Sequence, residues 1–256
     1  MISYCLAVFR AGYAAMLIDE LAKKTSAPYE ILVWYNTPDP GIRPFVNNRI
    51  ASGVPIRVIG DTPENIGMAA FMPLFKAAKY ELITQLDDDV ICVSRKIAEK
   101  AMEIFGRHFT VRQIVADTCQ DQWTSGARPP MTQYQRIHEG LYDGPMDGWF
   151  SIYHRSVLPL LMQAPYSKYV FLGAWMHARL PKSGFRGLLC TQMRVFHIAG
   201  PAYSIYFGMR DFEVKKYKSV GRKDLADWFA GAQEVPKDLL ARRIEEIRAE
   251  LEVFGN

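Results

Sequence analysis

Glu81-Leu82-Ile83-Thr84-Gln85-Leu86-Asp87-Asp88-Asp89 is the stretch on which the rest of the chain turns. Leu82 to Leu86 has the short, mostly apolar composition of a buried strand, and it stops at three adjacent carboxylates. Like charges this close repel and raise one another's pKa unless a cation compensates. A hard divalent cation such as Mg²⁺ or Mn²⁺ suits that role, because it takes oxygen ligands and leaves positions for phosphate oxygens. Side chains alternate along an extended chain, so Asp87 and Asp89 fall on one side and Asp88 on the other. From these residues alone, a solvated acidic turn or an acidic run ahead of a helix N-cap at Ser94 reads equally well.

Working outward, Ile2 to Phe9 is a first strand and Ala14 to Lys24 a helix with basic residues in its last turn, stopped by Ser26-Ala27-Pro28. Tyr29 to Tyr35 is a second strand, ended by the turn signal Asn36 to Gly41, and Pro55 to Gly60 a third. Met68 to Lys79 is helical, with Pro73 either tolerated early or marking a kink. Ser94 to Phe105 is a helix with Ser94 as its N-cap. This alternation predicts an α/β fold, a parallel sheet covered by helices on both faces with right-handed crossovers. Ligands of such sheets bind outside the carboxyl ends of the strands, so Asn36, Asn65 and Asp87 to Asp89 are expected to share one cleft.

Beyond residue 107 the pattern loosens. Val111 to Ala116 and Trp149 to His154 read as strands, Asp121 to Gly148 as a long loop, and Leu188 to Ile198 as one more strand. Pro236 to Phe254 is helical, with Leu240, Ile244, Ile247, Leu251 and Phe254 at heptad-like spacing. It either packs on the body or forms a dimer seam, which leaves the oligomeric state open.

The 256 residues suffice for one large core, and 49% apolar with 23% charged residues excludes a disordered chain. No apolar run reaches the roughly 20 residues of a membrane span. The N-terminus reads as a strand and not as a signal peptide. Cys5, Cys92, Cys119 and Cys190 lie far apart without a CxxC pair, which argues against structural zinc and a disulfide framework and suits a reducing cytoplasm. The net charge of +4 is uneven: residues 95–222 carry an excess of +9, against −2 before them and −3 after. The basic middle suits contact with phosphate or an anionic polymer, and equally a solvated basic face.

Glu64-Asn65-Ile66-Gly67-Met68-Ala69-Ala70, followed by Ala77 through Asp89, resembles the family 2 glycosyltransferases of GT-A fold, over roughly residues 1 to 205. In that family an Asn-x-Gly segment opens a helix and the next strand ends in a DxD motif. The resemblance implies a GT-A (Rossmann-like) mixed, mostly parallel sheet flanked by helices over residues 1–205, leaving 206–256 as a C-terminal helical extension. It also implies a metal-dependent enzyme that moves a sugar from a UDP- or GDP-sugar to an acceptor hydroxyl. Asp87 would contact the ribose or donor sugar, and Asp89 would hold the Mn²⁺ or Mg²⁺ that bridges the diphosphate. Phe9, Arg10 and Asn36 would line the nucleobase pocket, with Asn65, Gly67 and Asp88 as further donor-binding candidates. Many members carry Asp where Asn36 stands, so the base is left open. Gln192 to Gly200 supplies a second match: a late His in such a context completes the metal site in many GT-A enzymes, which implies His197 as a ligand. A lone His among apolar neighbours is also an ordinary core residue.

The chain departs from the family at the acceptor base. Phe171 to Leu180, which matches the segment that carries the family's catalytic acid, contains no acid. Asp147 and His177 are the substitutes in view, and a retaining enzyme would need neither. Asp147 between its neighbours also reads as a turn residue. Trp149, Trp175 and Tyr203 read as sugar-stacking or core aromatics. Arg210, Lys215, Lys216, Lys218, Arg222 and Lys223 read as a clamp on an anion or as a solvated face. Three other activities stay open: a nucleotidyltransferase, although Arg10-Ala11-Gly12 is not a Gly-rich phosphate loop; a metal-dependent phosphodiester enzyme, which needs further acidic ligands; and a non-catalytic carbohydrate or nucleic-acid binder.

Overall fold

A computed structural model of the chain describes residues 1–37, 40–119, 128–146, 148–168, 171–198, 209–231 and 236–254. Its strands are β1 (Ile2–Val8), β2 (Tyr29–Tyr35), β3 (Ile56–Asp61), β4 (Leu82–Leu86), β5 (Val90–Val93), β6 (Val111–Thr118), β7 (Gln135–His138), β8 (Leu141–Asp143), β9 (Phe150–His154) and β10 (Arg186–His197). The helices are α1 (Ala11–Lys24), α2 (Ile42–Ala51), α3 (Phe71–Ala77), α4 (Ile97–Arg107), α5 (Leu158–Leu161), α6 (Leu172–Arg179), α7 (Arg210–Ser219), α8 (Lys223–Gly231) and α9 (Lys237–Val253).

The strands form one sheet in the order β3-β2-β1-β4-β9-β6-β10-β8-β7, with β5 paired to β10. β1 to β4 are parallel neighbours, and β6 runs parallel to β10, while β9 lies antiparallel between β4 and β6. β5 and β8 also oppose β10. The sheet is therefore mixed, with β1 to β4, β6, β7 and β10 pointing one way.

Alternation along β1 and β4 divides the interior in two. Tyr4, Leu6, Leu82 and Leu86 pack with Leu17 and Ile18 of α1 and Phe105 of α4. Cys5, Ile83 and Tyr153 pack with Leu74 and Phe75 of α3 and Met176 of α6. Helices thus cover both faces, the condition under which parallel strands become near-continuous apolar runs. A third cluster joins Ile91, Cys92 and Phe196 to Leu240, Ile244, Ile247 and Leu251 of α9. The heptad-spaced face of the last helix packs on the body. All four cysteines are buried and free.

Several local expectations are corrected. Ser94 is not a helix cap: its Oγ accepts a hydrogen bond from the Arg194 amide, and α4 starts after Lys96, held at φ 56°. The segment expected to be one long loop contains the β7–β8 hairpin, which is stabilised by pairing with β10. Residues 42–51, where the turn signals ended without a further assignment, form α2. No helix among the described residues is long and apolar enough to cross a membrane.

Candidate active site

The carboxyl ends of β1, β2 and β4 open into a cavity of about 270 Å³. Phe9, Arg10, Asn36, Asn65, Gly67, Asp87, Asp88, Asp89 and His197 all line it, so the fold gathers these separated candidates around one cavity.

β4 ends at Leu86, and the three aspartates lie in a turn closed by the Val90 amide on the Asp87 carbonyl at 3.2 Å, so strand alternation does not set their directions. Asp88 is bound to the start of α1. It is only 4% exposed, and its Oδ2 accepts the amides of Phe9 (2.6 Å) and Arg10, while its Oδ1 accepts the Arg10 guanidinium at 2.6 Å. An anion at the first turn of a helix is favoured by the free amides and the dipole there, so Asp88 anchors the start of α1. Burial pushes its carboxyl up, more than Arg10 pulls it down.

Asp87, Asp89 and His197 form the open side of the cluster. His197 Nε2 lies 3.1 Å from Asp89 Oδ1 and 3.9 Å from Asp87 Oδ2. One donor atom from each of the three falls within 4.8 Å of the others. Burial disfavours the charged form of Asp89, but Arg10 and His197 outweigh it and hold the carboxyl well below the usual range. Burial likewise works against protonated His197, and Asp89 and Asp87 reverse the balance and raise it. The ring lies over Trp149 at 6.4 Å, and its buried Nδ1 has no hydrogen-bond partner among the described residues.

A second group reaches the aspartates from α7. Glu213, 2% exposed, accepts Arg10 Nη2 at 2.9 Å and pairs with Lys216 at 2.8 Å. Arg10 also lies 3.4 Å from Asp89. Burial opposes the charge on Lys216, which Glu213 restores, leaving the ammonium above its ordinary range. Among the described residues, Arg10 pairs with Asp88, Asp89 and Glu213, and Lys216 with Glu213. Two carboxylates and an imidazole are a donor set that suits Mn²⁺ or Mg²⁺.

The opposite wall is built from backbone and amides. Asn36 Nδ2 donates to Asn65 Oδ1 at 3.0 Å, and Asn36 Oδ1 accepts the Ile66 amide at 2.8 Å. Asn65 Oδ1 also accepts the Gly67 amide at 2.7 Å. Gly67 sits at φ +59°, and a Cβ there would lie 1.8 Å from the Lys168 carbonyl oxygen. Both the backbone angle and the close approach demand glycine.

Other candidates lie elsewhere. His177 Nε2 is 3.5 Å from Asp143 Oδ1, and the residue is not part of the cavity lining. Asp147 and Tyr203 fall outside the described residues. Trp149 donates Nε1 to the Ala116 carbonyl at 2.7 Å and is buried. Trp175 stacks under Arg179 and does not line the cavity. Of the basic stretch only Lys216 lines the cavity; Arg210 caps Phe229 and Ala230 carbonyls and Arg222 pairs with Asp224. Sequence reasoning did not find Glu213, Phe212, Gln85, Lys168 or Phe171, all of which line it. Glu213 and Lys216, three apart on one helix, are the only local signal that pointed to this pair.

No protein-family model and no curated protein sequence matches the chain. Solved structures do. The mannosyltransferase PcManGT from Pyrobaculum calidifontis, in complex with GDP-Man and Mn²⁺, superposes with TM-score 0.62 at 12% identity, over 97% of this chain and 80% of that one. S. aureus TarS 1–349 with UDP-GlcNAc gives 0.56 at 12% identity, over 90% and 71%. GalNAc-T7 with UDP, GalNAc and Mn²⁺ gives 0.61 at 10% identity, over 99% and 59%. At these identities the likeness is one of fold, and the fold is GT-A.

Proposed function

We propose that the chain is a metal-dependent glycosyltransferase that takes a nucleoside-diphosphate sugar as donor and an acceptor hydroxyl as nucleophile. The observation that carries this reading is the convergence of Asp87, Asp89 and His197 donor atoms within 4.8 Å, on the wall of a cavity at the carboxyl ends of the strands. Asp87, Asp89 and His197 would hold Mn²⁺ or Mg²⁺, which when bound neutralises charge developing on the departing diphosphate. Arg10 and Lys216 add fixed positive charge beside it. Asn36, Asn65 and the Gly67 turn shape the wall for the nucleoside, and Phe9, tilted against Phe212 with ring centroids 4.8 Å apart, offers an apolar face. Residues 1–205 then form the catalytic body, and the extension from 206 completes the cavity through Glu213 and Lys216 of α7.

For the acceptor base, Asp147 is the candidate we retain. His177, the other candidate, lies 3.5 Å from Asp143 and does not line the cavity. A phosphodiester enzyme with several metal-ligand groups is less well supported, since Asp87, Asp89 and His197 are the one such group among the described residues. The test is a thermal-shift screen of UDP-, GDP-, CMP- and dTDP-sugars with and without Mn²⁺. Metal-dependent stabilisation by one nucleotide class, absent in Asp89→Ala, is expected; no response to any donor would overturn the proposal.

A further inference from the structure

Gln85 is a polar side chain placed in the floor of this cavity. It is 2% exposed, in a strand whose Leu82, Ile83 and Leu86 supply core and whose Thr84 is satisfied by the Cys5 amide and the Ser3 carbonyl. Burying a carboxamide costs free energy unless its groups are hydrogen-bonded. One half is satisfied: the Tyr153 hydroxyl, itself fully buried, donates to Gln85 Oε1 at 3.3 Å. That bond fixes the amide so that Nε2 turns away from Tyr153. The other half lies against Gly148, where a Cβ would come within 1.8 Å of Nε2. The glycine therefore clears space for this amide. No described residue accepts from Nε2, and Gln85 lines the cavity.

We infer that Gln85 is a specificity-determining residue for the sugar half of the donor: its Nε2 donates to a hydroxyl or carbonyl oxygen of the sugar, and Tyr153 is the positioning residue that aims it. This rests on the donor reading above and extends it. A site built to hydrogen-bond a polar group rejects ligands that lack the partner, because its own buried donor is left unpaired. A nucleotide without the sugar makes no use of Gln85, so the effect of losing the amide separates sugar recognition from nucleotide recognition.

The experiment is calorimetric titration, with Mn²⁺, of UDP-GlcNAc, GDP-mannose, UDP and GDP into wild-type protein, Gln85→Leu and Tyr153→Phe. In Gln85→Leu the affinity for the sugar nucleotide that the wild type binds should fall about five- to tenfold, while the matching free nucleotide binds unchanged. Tyr153→Phe keeps the ring in its core position and should show a smaller loss with the same split, which keeps the test open if the leucine variant folds poorly. Equal loss for sugar nucleotide and nucleotide, or no loss for either, would overturn the assignment to Gln85 alone. Wild-type protein that binds none of the four probes would sink the donor reading and this inference with it.

Discussion

Glu30 and Asp89 are both carboxylates buried in the same sheet, one near the amino end of β2 and the other just past the carboxyl end of β4. Glu30 is closed. It is 1% exposed, accepts from Ser3 Oγ at 2.7 Å, the Lys79 amide at 2.9 Å and Arg57 at 2.8 Å, and does not line the candidate site's cavity. Asp89 is also buried but lines that cavity, shares Arg10 with Asp88 and Glu213, and stands beside the partly exposed Asp87. The same residue chemistry thus serves two ends: a satisfied acid holds β1, β2 and the end of α3 together, and the group of acids on the cavity is the one we propose holds a cation. Position in the sheet decides which, because only the carboxyl ends leave room for a ligand.

Exchanging the losses at the two ends gives the largest contrast. Asp89→Ala should weaken Mn²⁺ binding in the presence of UDP or GDP by more than about 100-fold, since even an outer partner of a metal ligand costs 10- to 100-fold. Calorimetry would show it, with a fall in the urea midpoint, from the lost pairing of Asp89 with Arg10 and His197, smaller than that in Glu30→Ala. Glu30→Ala should do the reverse. It leaves Arg57 and Ser3 without their buried partner and should cost about 3 kcal/mol in urea unfolding, with metal affinity retained. If both variants lost both properties, the division between a closed and an open acid would fail.

Gly67→Ala probes the wall that faces the aspartates. The strained φ and the clash with Lys168 should cost about 2 kcal/mol and lower nucleotide affinity as well, read by urea unfolding and nucleotide titration. A variant as stable as wild type would mean that the turn adapts without cost.

The smallest effect separates the two ends by the direction of their pH dependence. Burial pushes the Glu30 carboxyl up, but the Lys79 amide, Ser3 and Arg57 outweigh it and leave its pKa lowered. A lowered carboxylate stabilises above its unfolded value, so the Glu30 contribution is full at neutral pH and is lost as pH falls below about 4. His197 is raised instead. In metal-free protein its pairing with Asp89 therefore stabilises fully below about pH 6.5, and is lost as pH rises through the higher folded value. Urea midpoints in EDTA, for wild type against Glu30→Gln and His197→Gln, should converge at low pH for the first pair and at high pH for the second. Parallel curves would remove the distinction.

The open end was the more legible of the two in sequence. Three aspartates after Leu82 to Leu86 read equally as a site or a solvated turn, and the resemblance carried by Asn65 and Gly67 ahead of them tips the reading to a site, while β1, β2, β4 and α9 carry plain apolar patterns. Glu30 carries no such mark: it sits in Tyr29 to Tyr35 like any strand residue, and its partners Ser3, Arg57 and Lys79 come from three other segments. The same reason hid Glu213, which reaches Arg10 across 203 residues of chain. β5, β7 and β8 are three or four residues long; β5 and β8 exist because β10 pairs with them and β7 because β8 does, so local pattern under-reports them. α2 carries Pro44 in its first turn and Asn47-Asn48 in its body, weak helix formers held by the burial of Ile42 and Val46.

The central claim is that the acids at the carboxyl end hold a divalent cation with a nucleoside diphosphate beside it. Titrating UDP and GDP into the wild-type protein, first with Mn²⁺ and then with EDTA in its place, tests it most directly. The account predicts saturable binding of one nucleotide with Mn²⁺ and its loss in EDTA. Equal binding in both buffers, or none in either, would contradict it.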